Sequence, residues 1–105
     1  TVREEEGERL VRNLGDKRIL MLKNHGPVVM GKTLTEAFIK YWALQRACEI
    51  QLATMSMGKP ITVPQDVIAV HQRDLFMASI PGQAGKAEFD AMVRKVYKTD
   101  TSWRD

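Results

Sequence analysis

The sequence has one cysteine, no long apolar run and no signal-like N-terminus, and each absence excludes a class of protein. Because Cys48 has no second thiol to pair with, the chain forms no internal disulfide, which fits a reducing compartment. No apolar run approaches the ~20 residues of a membrane span, and residues 1–6 lack the apolar core of a signal peptide. We therefore expect a cytoplasmic protein with no membrane span.

Basic residues are also neither numerous nor clustered. The chain has 16 Lys and Arg residues against 13 Asp and Glu residues, and they are spread along the sequence. A nucleic-acid interface would need a basic stripe interleaved with aromatic side chains, so we expect no nucleic-acid partner. With 44% hydrophobic and 28% charged residues in 105 positions, the composition predicts one globular domain and excludes two.

Two short apolar runs in residues 18–31 form the part of the chain where chemistry is most plausible. Ile19–Leu22 and Val28–Met30 are too short for helices and rich in β-forming residues, so they predict two strands. Since they are consecutive and joined by a tight turn, an antiparallel hairpin is the expected pairing. Their unbroken apolar character predicts burial on both faces, against strands from elsewhere in the protein or from another copy of the chain.

The turn between these strands is Asn24-His25-Gly26, followed by Pro27. Gly26 can adopt positive φ without steric cost, and Pro27 fixes its own φ, so the backbone beside the His25 imidazole should be stiff. A stiffly held imidazole suits a metal ion.

Four helices are predicted around the hairpin from apolar periodicity, caps and stop signals. The first is Glu4–Leu14 before Gly15, and the second is a long helix from the Thr33 cap to Gly58. The third starts at a capping box of Thr62 and Gln65, with Pro64 in its first turn, and runs to about Ser79. The fourth lies between Lys86 and Thr99, with a tail after it. Their expected inward residues are Leu10, Val11 and Leu14; Ile68, His71, Leu75 and Phe76; and Phe89, Met92, Val93, Val96 and Tyr97.

The long helix begins with the spacing of a capping box. The Thr33 hydroxyl should accept from the Glu36 amide, and the Glu36 carboxylate should reach back to the Thr33 amide. The helix is apolar on more than one side, which predicts burial against the sheet and against another helix or a neighbouring subunit. Cys48 lies among apolar neighbours in this helix and is expected to be a small buried hydrophobe.

Three segments in this order carry a family resemblance: Leu22–Gly31, Glu36-Ala37-Phe38 and Arg46–Gln51. Together they resemble the class II aldolase/adducin domain. The resemblance implies that His25 is the third ligand of a catalytic Zn²⁺, or of another divalent metal. The other ligands would come from a His-x-His pair, which this chain does not contain, and the catalytic acidic residue would also lie upstream.

The resemblance also implies a fold and a place in a larger domain. We expect an α/β fold, in which residues 1–105 are the C-terminal segment of an α/β/α three-layer sandwich. This segment would contain the two-stranded hairpin followed by three helices, and it would be the C-terminal part of one class II aldolase/adducin-like domain.

Two functions are compatible with the resemblance. The first is part of a zinc-dependent aldolase-like lyase, with epimerase or decarboxylase subtypes open, acting on small hydroxylated or phosphorylated carbonyl compounds. Such enzymes are commonly homotetramers. The alternative is a non-catalytic, adducin-like interaction domain in which the same turn is structural. A third hypothesis is a truncated product that folds only within an oligomer. No catalytic residue is assigned in this chain.

Overall fold

The fold is described from a computed structural model, which describes residues 4–78 and 83–104. The elements run in the order α1 (Glu4–Leu14), β1 (Ile19–Leu22), β2 (Gly26–Val29), α2 (Leu34–Ser56), α3 (Gln65–Ala78), α4 (Lys86–Tyr97) and a 3-10 helix (Ser102–Arg104). The predicted α/β class, with a hairpin followed by three helices, is confirmed. The third helix begins at Gln65, later than the predicted Thr62 cap, because its first backbone bond runs from the Ile68 amide to the Pro64 carbonyl. Ser79, its predicted end, lies outside the described residues.

The hairpin pairs antiparallel, as predicted, with Ile19 opposite Val29 and Leu22 opposite Gly26. The second strand was expected to begin at Val28, but it begins at Gly26 and includes Pro27. Proline has no N–H to donate and is tolerated on an edge strand, which is what β2 is in a sheet of two strands.

The hairpin was predicted to be buried on both faces against strands from elsewhere in the protein or from another copy, and the described residues alone do not bury it in this way. The third residue of each strand is exposed, and Met21 retains 60% of its accessible surface. Met21 is paired with Pro27 and Val28 with Leu20, so the two exposed residues lie on opposite faces of the hairpin. Each face therefore leaves an apolar side chain exposed among the described residues.

Helix α2 begins as its capping box predicts, with one difference. The Glu36 amide donates to the Thr33 hydroxyl at 3.1 Å. The Glu36 carboxylate, however, accepts from the amide of Lys32 at 3.1 Å, one residue before the predicted partner Thr33. The helix ends at Ser56, with Met57 as its C-cap and Gly58 at φ 121°, close to the predicted stop.

Helix α4 packs against the first half of α2. The rings of Phe38 and Phe89 meet edge to face, with centroids 5.2 Å apart and planes at 81°. Gly85, the N-cap of α4, has φ 76°, and a Cβ there would lie 2.7 Å from the Cβ of Ile39. Only glycine therefore allows the start of α4 to approach α2 this closely.

The predicted inward stripe of α4 is confirmed at Phe89, Met92 and Val93, which are half-buried. Its last two members, Val96 and Tyr97, remain about half exposed.

The segment after Thr99 was expected to be a tail, but it folds back on α4. The Asp100 carboxylate accepts from the Ser102 amide at 2.8 Å, and a 3-10 helix follows. The Arg104 guanidinium lies 5.0 Å from the centre of the Tyr97 ring and donates to its hydroxyl. These polar and cation–π contacts could not be identified from apolar periodicity.

The second half of α2 and helix α3 extend away from this packed part. Met57 and Ile61 are 89% and 98% exposed, and α3 packs against no other helix or strand in the described part of the chain. The radius of gyration is 17.3 Å, against about 13 Å for a compact chain of this length.

Three predictions of buried side chains are corrected for the same reason. Cys48 on α2 and His71 on α3 are exposed, and Val11 on α1 is 71% exposed. Their sequence neighbourhoods are apolar, but the described residues include nothing that covers them. Among these residues, no helix is both long enough and apolar enough to cross a membrane.

Candidate metal-ligating turn

The turn that carries His25 is closed by the backbone. The His25 amide donates to the Leu22 carbonyl at 3.4 Å, and the residues on either side of the histidine both have positive φ, 65° at Asn24 and 135° at Gly26. Asparagine and glycine tolerate this region better than other residues, so the local sequence specifies the turn. The predicted positive φ at Gly26 is confirmed.

The His25 side chain is exposed, so the imidazole is accessible to a ligand. The paired residues nearest to it are Leu22, the last residue of β1, and Gly26, the first residue of β2. The imidazole therefore projects from the tip of a short hairpin, where its position depends on the turn and on whatever holds the base of the hairpin.

The described residues supply one metal donor here and not a complete site. In residues 4–78 and 83–104, no three His, Cys, Asp or Glu side chains are grouped so that they could hold a metal ion. His71 lies on α3 and Cys48 on α2, and neither joins His25 in such a group. Because catalytic zinc has about three protein ligands, His25 fits one ligand of a site completed by residues elsewhere.

A cluster of charged groups joins the base of the hairpin to α2. One oxygen of the Glu36 carboxylate accepts from the Lys32 amide at 3.1 Å, and the other accepts from the Lys40 ammonium group. These two bonds, with a smaller contribution from the charge of Arg18, lower the pKa of Glu36 below its ordinary value. The Glu36 side chain is only 17% exposed.

The backbones of the hairpin and of α2 also lie close together at this charged cluster. The Met30 amide donates to the Arg18 carbonyl at 2.7 Å, which extends the hairpin by one bond at its base. A Cβ on Gly31 would lie 2.5 Å from the amide nitrogen of Ala37, so the chain leaving β2 passes directly against the first turn of α2. We call Arg18, Gly31, Lys32, Glu36 and Lys40 the hairpin–helix joint.

Only part of this joint is predictable from the sequence. Glu36 was expected to cap the helix, and its pairing with Lys40 follows from the four-residue spacing that brings side chains together on a helix. Arg18 is separated from Glu36 by the whole hairpin, so only the fold brings its charge close.

Comparison with known proteins places the chain in a family. The profile described as "Class II Aldolase and Adducin N-terminal domain" matches residues 1–52. A Pseudomonas aeruginosa protein that carries an aldolase class 2 name is 34% identical over 104 residues, which cover 95% of this chain. The chain belongs to the class II aldolase and adducin family.

Two further members of the class II aldolase and adducin family are similar to this chain. Human beta-adducin is 33% identical over 102 residues. The crystal structure of an aldolase II superfamily protein from Pseudomonas syringae matches all of this chain with a TM-score of 0.86 and 33% identity. The predicted family and fold class are thereby confirmed.

The chain is much shorter than these relatives. It spans 40% of the length of the P. aeruginosa protein, 42% of the P. syringae chain and 14% of beta-adducin. The match to the P. syringae chain covers 100% of this chain, so it extends over both the packed and the extended part.

Proposed function

We propose that His25 is one of the protein ligands of a divalent metal ion, with Zn²⁺ as the first choice, in a class II aldolase-like enzyme. The observation that carries this proposal is the exposed imidazole on a turn whose two flanking residues, Asn24 and Gly26, are both held at positive φ. An imidazole on such a turn is pre-organised to bind a metal without reordering the backbone. Family membership supports the same role.

When bound, the metal ion would supply a Lewis acid that polarises the carbonyl group of the substrate. His25 would bind through one neutral ring nitrogen, while the stiff turn fixes the direction of the ring. The substrates we propose are small hydroxylated or phosphorylated carbonyl compounds, and the reaction is cleavage of a carbon–carbon bond. Epimerisation and decarboxylation are the other subtypes that this chemistry supports. The acid or base that moves the proton would lie outside residues 1–105.

We also propose that residues 1–105 are the C-terminal part of a single larger domain. The accessible surface is 9638 Å², whereas a compact monomer of 11.9 kDa exposes about 5,900 Å², so the excess is roughly 3,700 Å². No described residue is fully buried. We expect this open surface, which includes exposed apolar side chains such as Met57 and Ile61, to be covered by further segments of the same protein. Those segments would also supply the missing metal ligands.

A homo-oligomer, with a tetramer as the family precedent, is part of the same proposal. A standard interface covers about 800 Å² on each partner, well below the excess surface of this chain. One such interface would therefore leave much of the excess surface open, and we assign the larger share to the rest of the domain.

The similarity to human beta-adducin favours a second candidate, a non-catalytic interaction domain. In that case the Asn24-His25-Gly26 turn is purely structural and binds no metal. The two candidates therefore differ in a property that can be measured without knowing the substrate.

The experiment compares His25→Ala with His71→Ala in the full-length protein that contains this chain. These are the two histidines of the sequence, and both are exposed, so His71→Ala is a matched control. We expect elemental analysis to find stoichiometric metal in the wild type and in His71→Ala, and none in His25→Ala. Full retention of metal by His25→Ala would contradict the proposed ligand, and an absence of metal in the wild type would favour the adducin-like candidate.

A further inference from the structure

We propose that Glu36 is a positioning residue. Its carboxylate fixes the hairpin on helix α2 and thereby sets the position of the His25 side chain. The inference rests on the proposed role of His25 as a metal ligand. It assigns a function to a side chain that helix capping alone does not fully explain.

The geometry of the hairpin–helix joint carries the proposal. Glu36 is on α2, yet one of its oxygens binds the amide of Lys32, which lies between β2 and the helix. Its other oxygen binds Lys40 one turn further along α2, and this bond holds the carboxylate in place. The carboxylate therefore connects the outgoing end of the hairpin to two successive turns of the helix.

The incoming end of the hairpin is connected as well. Arg18 precedes β1, its carbonyl accepts from the Met30 amide at 2.7 Å, and its positive charge acts on the Glu36 carboxylate. Both ends of the hairpin therefore lie near one half-buried acidic group, the Glu36 carboxylate. Gly31 lets the backbone run against the first turn of α2, which leaves the joint little room to bend.

The length of the hairpin explains why the joint matters for a residue at the tip. A strand of four residues is about 13 Å long, so a tilt of about 5° at its base moves the tip by roughly 1 Å. Functional groups must be held to within about 0.5 Å, and groups that orient metal ligands contribute about 10- to 100-fold to metal affinity. Removing the Glu36 carboxylate should therefore weaken metal binding although Glu36 never touches the metal.

The test uses Glu36→Ala and Glu49→Ala in the full-length protein. Glu49 is a matched control because it lies on the same helix and its carboxylate also binds a basic side chain, Arg46, at 2.8 Å, but only within α2. Glu36→Gln is a second, milder variant, since its amide oxygen can still accept from Lys32 while the charge attraction to Lys40 and Arg18 is lost.

Two quantities are measured for each variant. Residual dipolar couplings of the backbone amides give the orientation of residues 19–29 relative to α2 without any metal. Competition with a chelator gives the affinity for Zn²⁺. We expect Glu36→Ala to change the orientation of the hairpin and to weaken Zn²⁺ binding at least about tenfold. Glu36→Gln should have a smaller effect on both, and Glu49→Ala none.

Each other outcome overturns the proposal. Unchanged couplings in Glu36→Ala would show that the carboxylate does not hold the hairpin, and equal losses in Glu36→Ala and Glu49→Ala would indicate general destabilisation. A reoriented hairpin with unchanged Zn²⁺ affinity would show that the joint does not position the ligand. Failure of the His25 ligand itself is distinguished by His25→Ala, which would then keep its metal while the couplings still report on Glu36.

Discussion

Two regions of the chain have similar apolar content but differ in how far they are packed. In the packed region, formed by the hairpin, the first half of α2 and α4, Phe38 meets Phe89 edge to face and Gly85 allows close approach to Ile39. In the extended region, formed by the second half of α2 and α3, side chains such as Leu52 are largely exposed. The difference shows that only part of this sequence finds its packing partners within the chain.

The crystal structure from P. syringae gives this difference a physical meaning. It is similar to this chain over its full length, with a TM-score of 0.86, although α3 packs against no other described element here. An arrangement that the chain does not stabilise itself, yet shares with a longer relative, is expected to be stabilised by contacts outside residues 1–105. We therefore expect the packed region to depend mainly on contacts within the chain, and the extended region on contacts outside it.

The largest expected effect comes from Gly85→Ala in the packed region. The new Cβ would lie 2.7 Å from the Cβ of Ile39, on a backbone at φ 76°, so we expect the free energy of unfolding to fall by about 3 kcal/mol. Gly7→Ala is the matched control, because Gly7 lies in α1 with nothing within 4 Å of an added Cβ. Urea unfolding should show that Gly7→Ala is slightly stabilised, by about 0.5–1 kcal/mol, whereas Gly85→Ala is destabilised. Equal effects of the two variants would contradict the close approach of α2 and α4.

Smaller losses in the free energy of unfolding are expected from Phe38→Ala in the packed region and Leu52→Ala in the extended region. Phe38 is 38% exposed and pairs with Phe89, so its loss should cost about 2 kcal/mol. Leu52 is 70% exposed, and its loss should cost less than about 0.5 kcal/mol in the 105-residue chain.

The same pair of variants in the full-length protein tests what covers the extended region. There we expect Leu52→Ala to lower the free energy of unfolding clearly more than in the 105-residue chain. If this face is covered in the full-length protein, the substitution removes packing contacts that the 105-residue chain does not make. A cost that stays near zero in both proteins would show that this face remains open.

The smallest expected effect is the pH dependence that Glu36 contributes. Because its pKa is lowered in the folded state, the ionised carboxylate stabilises the fold above its ordinary pKa of 4.5, and this contribution is lost as the pH falls through the lowered value. Between about pH 5 and about pH 3, thermal unfolding should therefore show a smaller loss of stability in Glu36→Gln than in the wild type. Asp100, whose pKa is lowered by Ser102, contributes equally to both proteins. Parallel pH profiles would contradict the role of the carboxylate.

The elements of the fold were predictable from local chemistry. The Thr33 cap, the stop signals at Gly15 and Gly58, and the apolar stripe of α4 are each specified by residues within a few positions of one another. The start of β2 and the structure after Thr99 were missed, since an edge strand tolerates Pro27 and the contact of Arg104 with Tyr97 has no apolar periodicity.

Burial and the candidate site were predictable only in part. Apolar sequence around Cys48 and His71 predicted an interior, but both side chains are exposed among the described residues. The His25 turn followed from Asn24, Gly26 and Pro27, all of which are local. The attachment of that turn to α2 depends on Arg18 and Glu36, which are far apart in sequence, and so became visible only in the fold.

The most direct test of the proposed metal site is cadmium NMR of the full-length protein, with an NMR-active cadmium isotope in place of the native metal. If His25 is a ligand, we expect scalar coupling between the bound cadmium and the ring protons of His25, and none to those of His71. Cadmium bound in stoichiometric amount without coupling to His25 would contradict the assignment of this turn as a metal ligand.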